Sequence, residues 1–252
     1  QYTSFPLSEL LKRFIEYMEL RGVNDSKHII AISESMKQFL IDDWGISESR
    51  VSVISTGYVS EVHSSLDLKS LPKKDHSVVY LGTLYEKLDY EKILSIADTV
   101  EDVDIQIIGT GDVGPRFKKR ANQLGLNNIS FLGNLPYEQA LKVVAKSQVA
   151  IMPEKESLHA EFSQPIKLFD YAACKTAIVA DDVSALCTKL DEANAALITN
   201  PGNPDEFVES VSSLLENEET RRDIEQAASD FVQGHTWERR GEELNELYNN
   251  LE

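Results

Sequence analysis

IQIIGTGDVGPRFKKRANQL, residues 105–124, reads as one structural unit: a β-branched run, a glycine-rich turn, then Phe117, Ala121 and Leu124 at one-face helical spacing. The same alternation extends in both directions. Further apolar runs open at Ser77 (SVVYL), Ile129 (ISFL), Val149 (VAIM), Ala177 (AIVA) and Ala196 (ALIT). Between them, Tyr90, Ile93, Leu94 and Ala97, and later Ala140, Leu141 and Val144, repeat on helical faces. Runs that are apolar almost throughout suit strands covered on both faces, so the pattern predicts an α/β domain with a doubly wound, Rossmann-like parallel sheet. Toward its end, Asn203, Pro204 and Glu206 supply a cap, a first-turn proline and a capping-box acid ahead of Phe207, Val211, Leu214 and Leu215. That arrangement predicts a helix.

Upstream lie an amphipathic stretch from Leu7 to Leu20, a strand HIIAIS, a helix from Ser35 ended at Gly45, and a strand VSVIS. Two strands cannot make a doubly wound sheet, so residues 1–59 read as a fragment of a second α/β domain. Residues 60–76, polar and holding Pro72 and two lysines, read as a linker to a complete domain over 77–234. A helix over 235–252 closes the chain, with a route back toward the N-terminal part open to it. The chain begins at Gln1 within an amphipathic segment, which reads as a cut inside a longer protein.

With 42% hydrophobic and 27% charged residues the 252-residue chain has the composition of a globular protein. A formal charge of −17 argues against nucleic acid or a broad anionic-membrane footprint, both of which need clustered cations. The one basic cluster, Arg116 to Arg120, reads as a solvated helix face. Cys174 and Cys187 make no disulfide framework, which fits a reducing, cytoplasmic setting. No run approaches the roughly 20 apolar residues of a membrane span. No histidine can be paired with a nucleophile by spacing, and His159 among Glu154, Glu156 and Glu161 matches no metal-ligand pattern. Neither a metal nor a cofactor is expected.

Gly109 to Gly114 matches GxGxxG at a strand-to-helix junction, the context of a dinucleotide fingerprint. That fingerprint expects an acid about 20 positions on for the ribose, and ISFLGNL supplies none. A tight turn accounts for the glycines. The segment 161–175, EFSQPIKLFDYAACK, starts a helix. Pro165 suits its first turn, so the amides around Ser163, Gln164, Ile166, Lys167 and Leu168 and the positive dipole end would face a diphosphate, with Lys167 adding charge. Asp170, a turn and a half in, can accept two hydrogen bonds from a ribose diol, or be an ordinary partly exposed helix acid. Lys87 follows Gly82 by five positions in LGTLYEK, where the turn carries it over the sheet's C-terminal edge, unless it is a plain surface lysine.

Taken in order, these segments resemble the retaining glycosyltransferases of group 1, or family four, with the GT-B fold. HIIAISESMKQFLIDDWGISESRVSVISTGY is similar to the end of that family's acceptor domain. YLGTLYEK, IQIIGTGDVGPRFKKRANQLGLNNISFLGNLPYEQ, PIKLFDYAACKTAIVADD and HTWERRGEELNELY are similar to its donor domain and final helix. The resemblance implies that Asp170 holds the ribose, that Gly133, Asn134 and Leu135 contact the base, and that Lys87, beside Gly82 and Thr83, holds the diphosphate. It further implies that Gly109 and Gly111 floor the cleft. Five positions depart from the family pattern. Thr83 stands where arginine is frequent, Lys87 is one position early, Asp170 replaces glutamate and Cys174 glycine. Eight before Asp170, where the family carries a sugar-contacting glutamate, stands Phe162, leaving Glu161 as the nearest acid for catalysis.

The implied activity is carbohydrate biosynthesis: transfer of a sugar from a nucleotide diphosphate sugar, of uridine or guanosine, to a glycan, lipid or small-molecule acceptor, with retention and without metal. Most of the acceptor domain, and any peripheral membrane contact made through it, would lie outside this chain, which is expected to bind donor without transferring. Two alternatives stay open: a non-catalytic nucleotide-sugar-binding module, and a sugar-nucleotide epimerase of the same fold.

Overall fold

The computed structural model describes residues 6–251, which fall into two compact units divided between Ser55 and Thr56. In the first, α1 (Pro6–Asp25) precedes β1 (Ile29–Ala31), α2 (Glu34–Asp42) and β2 (Val51–Val53). β1 and β2 pair in parallel, and Ala31, Leu40, Ile46 and Val51 form a small core. Ser33 caps α2 by accepting from the Met36 amide at 3.1 Å, and Gly45, at φ +67°, turns the chain out of the helix.

The second unit carries α3 (Ser60–Ser65), then β3 (Ser77–Leu81), α4 (Tyr90–Thr99), β4 (Asp104–Ile108), α5 (Gly114–Gln123), β5 (Ile129–Gly133), α6 (Tyr137–Lys146) and β6 (Val149–Met152). It continues through α7 (Leu158–Phe162), α8 (Ile166–Ala173), β7 (Ala177–Asp181), α9 (Ala185–Glu192), β8 (Leu197–Thr199), α10 (Pro204–Glu216), α11 (Glu218–Val232) and α12 (Trp237–Leu251). The six strands β3 to β8 form one all-parallel sheet in the order β5-β4-β3-β6-β7-β8. This is the doubly wound α/β fold that the apolar runs predicted. Alternate strand residues feed opposite faces. Val79, Ala150, Met152 and Ile178 pack with α6, α8, α9 and α11, whereas Val78, Tyr80, Ile151 and Val179 pack with α4, α5 and α10. Each fully buried aliphatic side chain of this kind contributes about 2 kcal/mol. The chain order reverses between β3 and β6, which opens a crevice beyond their C-terminal ends.

Residues 60–76 are not the spacer that their polar composition suggested. They fold as α3 and a 3-10 turn at Leu68–Ser70, and Leu68 is 2% exposed within the core. Val62, Leu66 and Leu71 pack beside it, and Lys73 donates to the Ser147 carbonyl at 2.9 Å. Four apolar anchors spread among polar residues suffice for docking but leave no periodic signal. The two ends of the unit meet: the Tyr58 amide donates to the His235 carbonyl at 3.0 Å, and the Trp237 amide to the Tyr58 carbonyl at 3.1 Å. Among the described residues no helix is long and apolar enough to cross a membrane.

Candidate functional site

Three loops at the C-terminal edge of the sheet are laced together through their backbones. The Gly82 amide donates to Ile108, that of Leu84 to Thr110 and that of Gly109 to Gly133, at 2.8–3.0 Å. The Thr110 hydroxyl adds a 3.1 Å bond to the Asn134 side chain. Gly109 sits at φ +126°, and a Cβ there would lie 2.0 Å from the Gly82 carbonyl oxygen; one on Gly111 would lie 2.4 Å from that of Leu84. Only glycine permits this approach. The GxGxxG sequence therefore seats the β4 loop against the β3 loop at the C-terminal edge of the sheet. On the other side, the Lys155 amide donates to the Lys87 carbonyl at 2.8 Å and that of Asp89 to Pro153 at 3.0 Å, tying the β3 loop to the β6 loop.

Those ties bring together the two lysines expected at the diphosphate. Lys167, in the first turn of α8, places Nζ 2.8 Å from Glu154 Oε1, and Lys87 places its Nζ 3.1 Å from Oε2 of the same carboxylate. Glu154 is 1% exposed, against 15% and 27% for the two lysine side chains. Burial pushes the Glu154 carboxyl up, but Lys167 and Lys87 outweigh it and hold it below its ordinary range. Burial likewise opposes the Lys167 ammonium, yet Tyr80 and Glu154 raise its pKa above the ordinary value. The ammonium lies over the Tyr80 ring, 5.0 Å from its centroid. Behind this cluster, Asp181 Oδ2 accepts from the Glu154 amide at 2.9 Å, while Oδ1 takes Lys92 at 2.6 Å and Thr199 at 3.1 Å.

Tyr171 fixes α8 in place. Its hydroxyl accepts from the Leu81 amide at 2.8 Å and lies 3.3 Å from the Ile151 carbonyl, bridging β3 and β6 at the point where the chain order reverses. Not every amide expected at the helix start faces the crevice. Ser163 donates its N–H and its hydroxyl to the Ala160 carbonyl at 3.0 and 2.8 Å, and the Leu168 amide donates to Pro165 at 3.0 Å. Leu168 lies in the core, and the Gln164 side chain accepts from the amide and hydroxyl of Thr56, both at 3.3 Å. Ile166 and Lys167 remain as first-turn positions, whose N–H groups have no acceptor within their own helix.

Asp170 is 5% exposed, so it is not an ordinary, partly exposed helix acid. The Tyr137 hydroxyl donates to its Oδ1 at 2.6 Å, and His63 Nε2 lies 3.2 Å from the same oxygen. A carboxylate can only accept, so Nε2 carries the proton in this contact. Cys174 Sγ lies 3.9 Å from His63 Nδ1, and the Tyr58 ring meets the imidazole edge-on at 5.1 Å. Burial, then the Asp170 charge, pushes up the Tyr137 phenol and the Cys174 thiol alike.

Of the remaining expected residues, Thr83 is exposed, with its carbonyl accepting from Tyr80 at 3.1 Å. Gly133 and Leu135 flank Asn134 in the loop that leads to Tyr137. Glu161 is exposed on the last turn of α7. Sequence reasoning missed Tyr137, His63 and the part played by Glu154. Glu154 carried a usable signal, since it is the first charged residue beyond β6; His63 carried none.

Residues 67–231 match the family described as Glycosyl transferases group 1, and residues 2–61 match Glycosyltransferase Family 4. The chain is 22% identical over 234 residues to an uncharacterized glycosyltransferase of Methanocaldococcus jannaschii, covering 89% of this chain and 58% of that protein. It is 21% identical over 246 residues to the D-inositol 3-phosphate glycosyltransferase of Corynebacterium glutamicum, with the same coverage of 89% and 58%. The chain thus spans less than two thirds of the length of these relatives. Among solved structures, a glycosyltransferase from Rickettsia africae is similar with a TM-score of 0.76 at 16% identity, over 99% of this chain and 68% of that one. HepE of Anabaena, in complex with UDP and glucose, is similar with a TM-score of 0.74 at 15% identity, over 89% of this chain and 63% of that one.

Proposed function

The chain belongs to the group 1 glycosyl transferases, and from that premise we propose that its second unit binds a nucleoside diphosphate sugar in the crevice between β3 and β6. The observation that carries this reading is the meeting of Lys87 and Lys167 on one carboxylate. An ammonium has three protons; Lys167 gives one to Glu154 Oε1, and Lys87 is ion-paired to Oε2 without a hydrogen bond, so donors remain for phosphate oxygens. The first turn of α8 adds its amides and roughly half a positive charge. Together they stabilise the diphosphate as it departs with negative charge building on it. Asp170, through the oxygen not engaged by Tyr137 and His63, accepts from the ribose, and Gly133 to Leu135 face the base. Glu161 is the acid assigned to the sugar hydroxyls. The complex of HepE with UDP and glucose supports a uridine donor, and that of TarM with fondaparinux, α-GlcNAc-glycerol and UDP supports a glycan-like acceptor.

In this reading the complete protein transfers the sugar with retention, while the present chain binds donor and leaves transfer to residues outside it. The exposed position of Glu161, and Phe162 in place of a glutamate, favour binding over transfer. Calorimetric titration with UDP and GDP tests the proposal. One of them binds, and Lys87→Met weakens it about tenfold, or 1.4 kcal/mol. Absence of binding by every nucleoside diphosphate tried rejects the reading.

A further inference from the structure

Glu154 occupies an unusual place for a carboxylate beside an anion site. A negative charge next to a diphosphate opposes its binding, yet this one is fully buried and held more firmly than either lysine it engages. Its amide is bound to Asp181 Oδ2 at 2.9 Å, and Asp181, itself 0% exposed, is braced by Lys92 and Thr199. Leu88 pairs with Glu154 across the two loops. The lysines, by contrast, come from separate segments: Lys87 from the β3 loop and Lys167 from the start of α8. The carboxylate is their common point of attachment.

We propose that Glu154 is a positioning residue that holds the Lys87 and Lys167 ammonium groups together at one carboxylate for a diphosphate, without touching the donor itself. The inference rests on the functional reading above. Without the carboxylate between them, the two cations repel each other in a partly dehydrated corner. Lys167 is retained by the Tyr80 ring, whereas Lys87, on an exposed loop, turns out into water. The site would then lose one of its two cations even as its formal charge rises.

The sign of one measurement separates this role from that of a simple counter-charge. A carboxylate that only neutralised the lysines would weaken anion binding by its presence, and its removal would tighten UDP. A positioning carboxylate does the opposite. With the 252-residue chain, Glu154→Gln is expected to raise the calorimetric Kd for UDP about tenfold, or 1.4 kcal/mol. Glu154→Asp keeps the charge and the fold but withdraws the carboxylate by one methylene; it is expected to raise the Kd about threefold, or roughly 0.6 kcal/mol. A residue needed only for folding would lower the binding stoichiometry and the melting temperature while leaving the Kd of the folded fraction unchanged. In the Glu154→Gln background, Lys87→Met should add little further loss, because Lys87 has already left the site. An unchanged or lower Kd in Glu154→Gln, or in Glu154→Asp where the glutamine variant does not fold, overturns the inference. A wild-type chain that binds neither UDP nor GDP overturns the functional reading instead.

Discussion

Glu154 and Asp170 are both buried carboxylates, and they are met by opposite means. Glu154 is met by two ammonium groups at 2.8 and 3.1 Å, and its carboxyl is held below the ordinary range. Asp170 is met by a phenol at 2.6 Å and an imidazole at 3.2 Å. Ion pairing to a single carboxylate leaves further protons on both ammonium groups. Hydrogen bonding to one oxygen of Asp170 leaves its other oxygen as an acceptor. One carboxylate is thus met by cations and the other by neutral hydrogen-bond donors, which in the proposed reading suits a diphosphate at the first and a ribose at the second.

The largest expected effect comes from breaking the charged half of the pair. Lys167→Met leaves Glu154 buried with only Lys87, at a cost of about 3 kcal/mol for a severed buried pair. Urea unfolding measures this, and a loss under 1 kcal/mol would mean that water already reaches the carboxylate.

The same half contributes to acid stability. Glu154 has a depressed folded-state pKa, so its contribution is complete above the ordinary glutamate range and is lost as pH falls through the folded value. Glu154→Gln should accordingly flatten the acid limb of stability against pH, and an unaltered slope would remove the lysines as its partners.

A smaller effect belongs to the hydrogen-bonded half. Asp170→Asn keeps an acceptor but loses the charge, for about 1–2 kcal/mol, and should bring the Tyr137 phenol back toward its ordinary pKa. Carbon NMR of the tyrosine Cζ during alkaline titration reads this directly; a Tyr137 pKa unchanged from that of the wild-type chain would assign its shift to burial alone. The smallest change expected is that of His63→Gln, which preserves a donor and costs about 0.5–1 kcal/mol in melting experiments. A loss as large as that of Lys167→Met would show that the two carboxylates do not differ in kind.

The sheet was legible because strands covered on both faces must be apolar throughout, so SVVYL and VAIM stand out without any knowledge of their neighbours. The position of Asp170 was legible too, through Pro165 and Lys167 ahead of it. Its surroundings were not, since Tyr137 and His63 lie 33 and 107 residues away and only the fold brings them to it. His63 was hidden further by a stretch whose few apolar anchors read as a polar spacer. Glu154 was visible only as an acid near His159. Recognising its part required knowing that β6 lies beside β3, which places Lys87 against it.

Both thiols of the chain are buried, Cys174 under His63 and Cys187 beside Ser184, and burial raises each above the ordinary thiol range. At neutral pH neither offers a thiolate to a maleimide or an iodoacetamide. The folded protein is in effect blank to cysteine-directed dyes. A single cysteine introduced at the exposed Thr83, on the β3 loop, can therefore carry a fluorophore to the crevice rim over a silent background and report occupancy in real time.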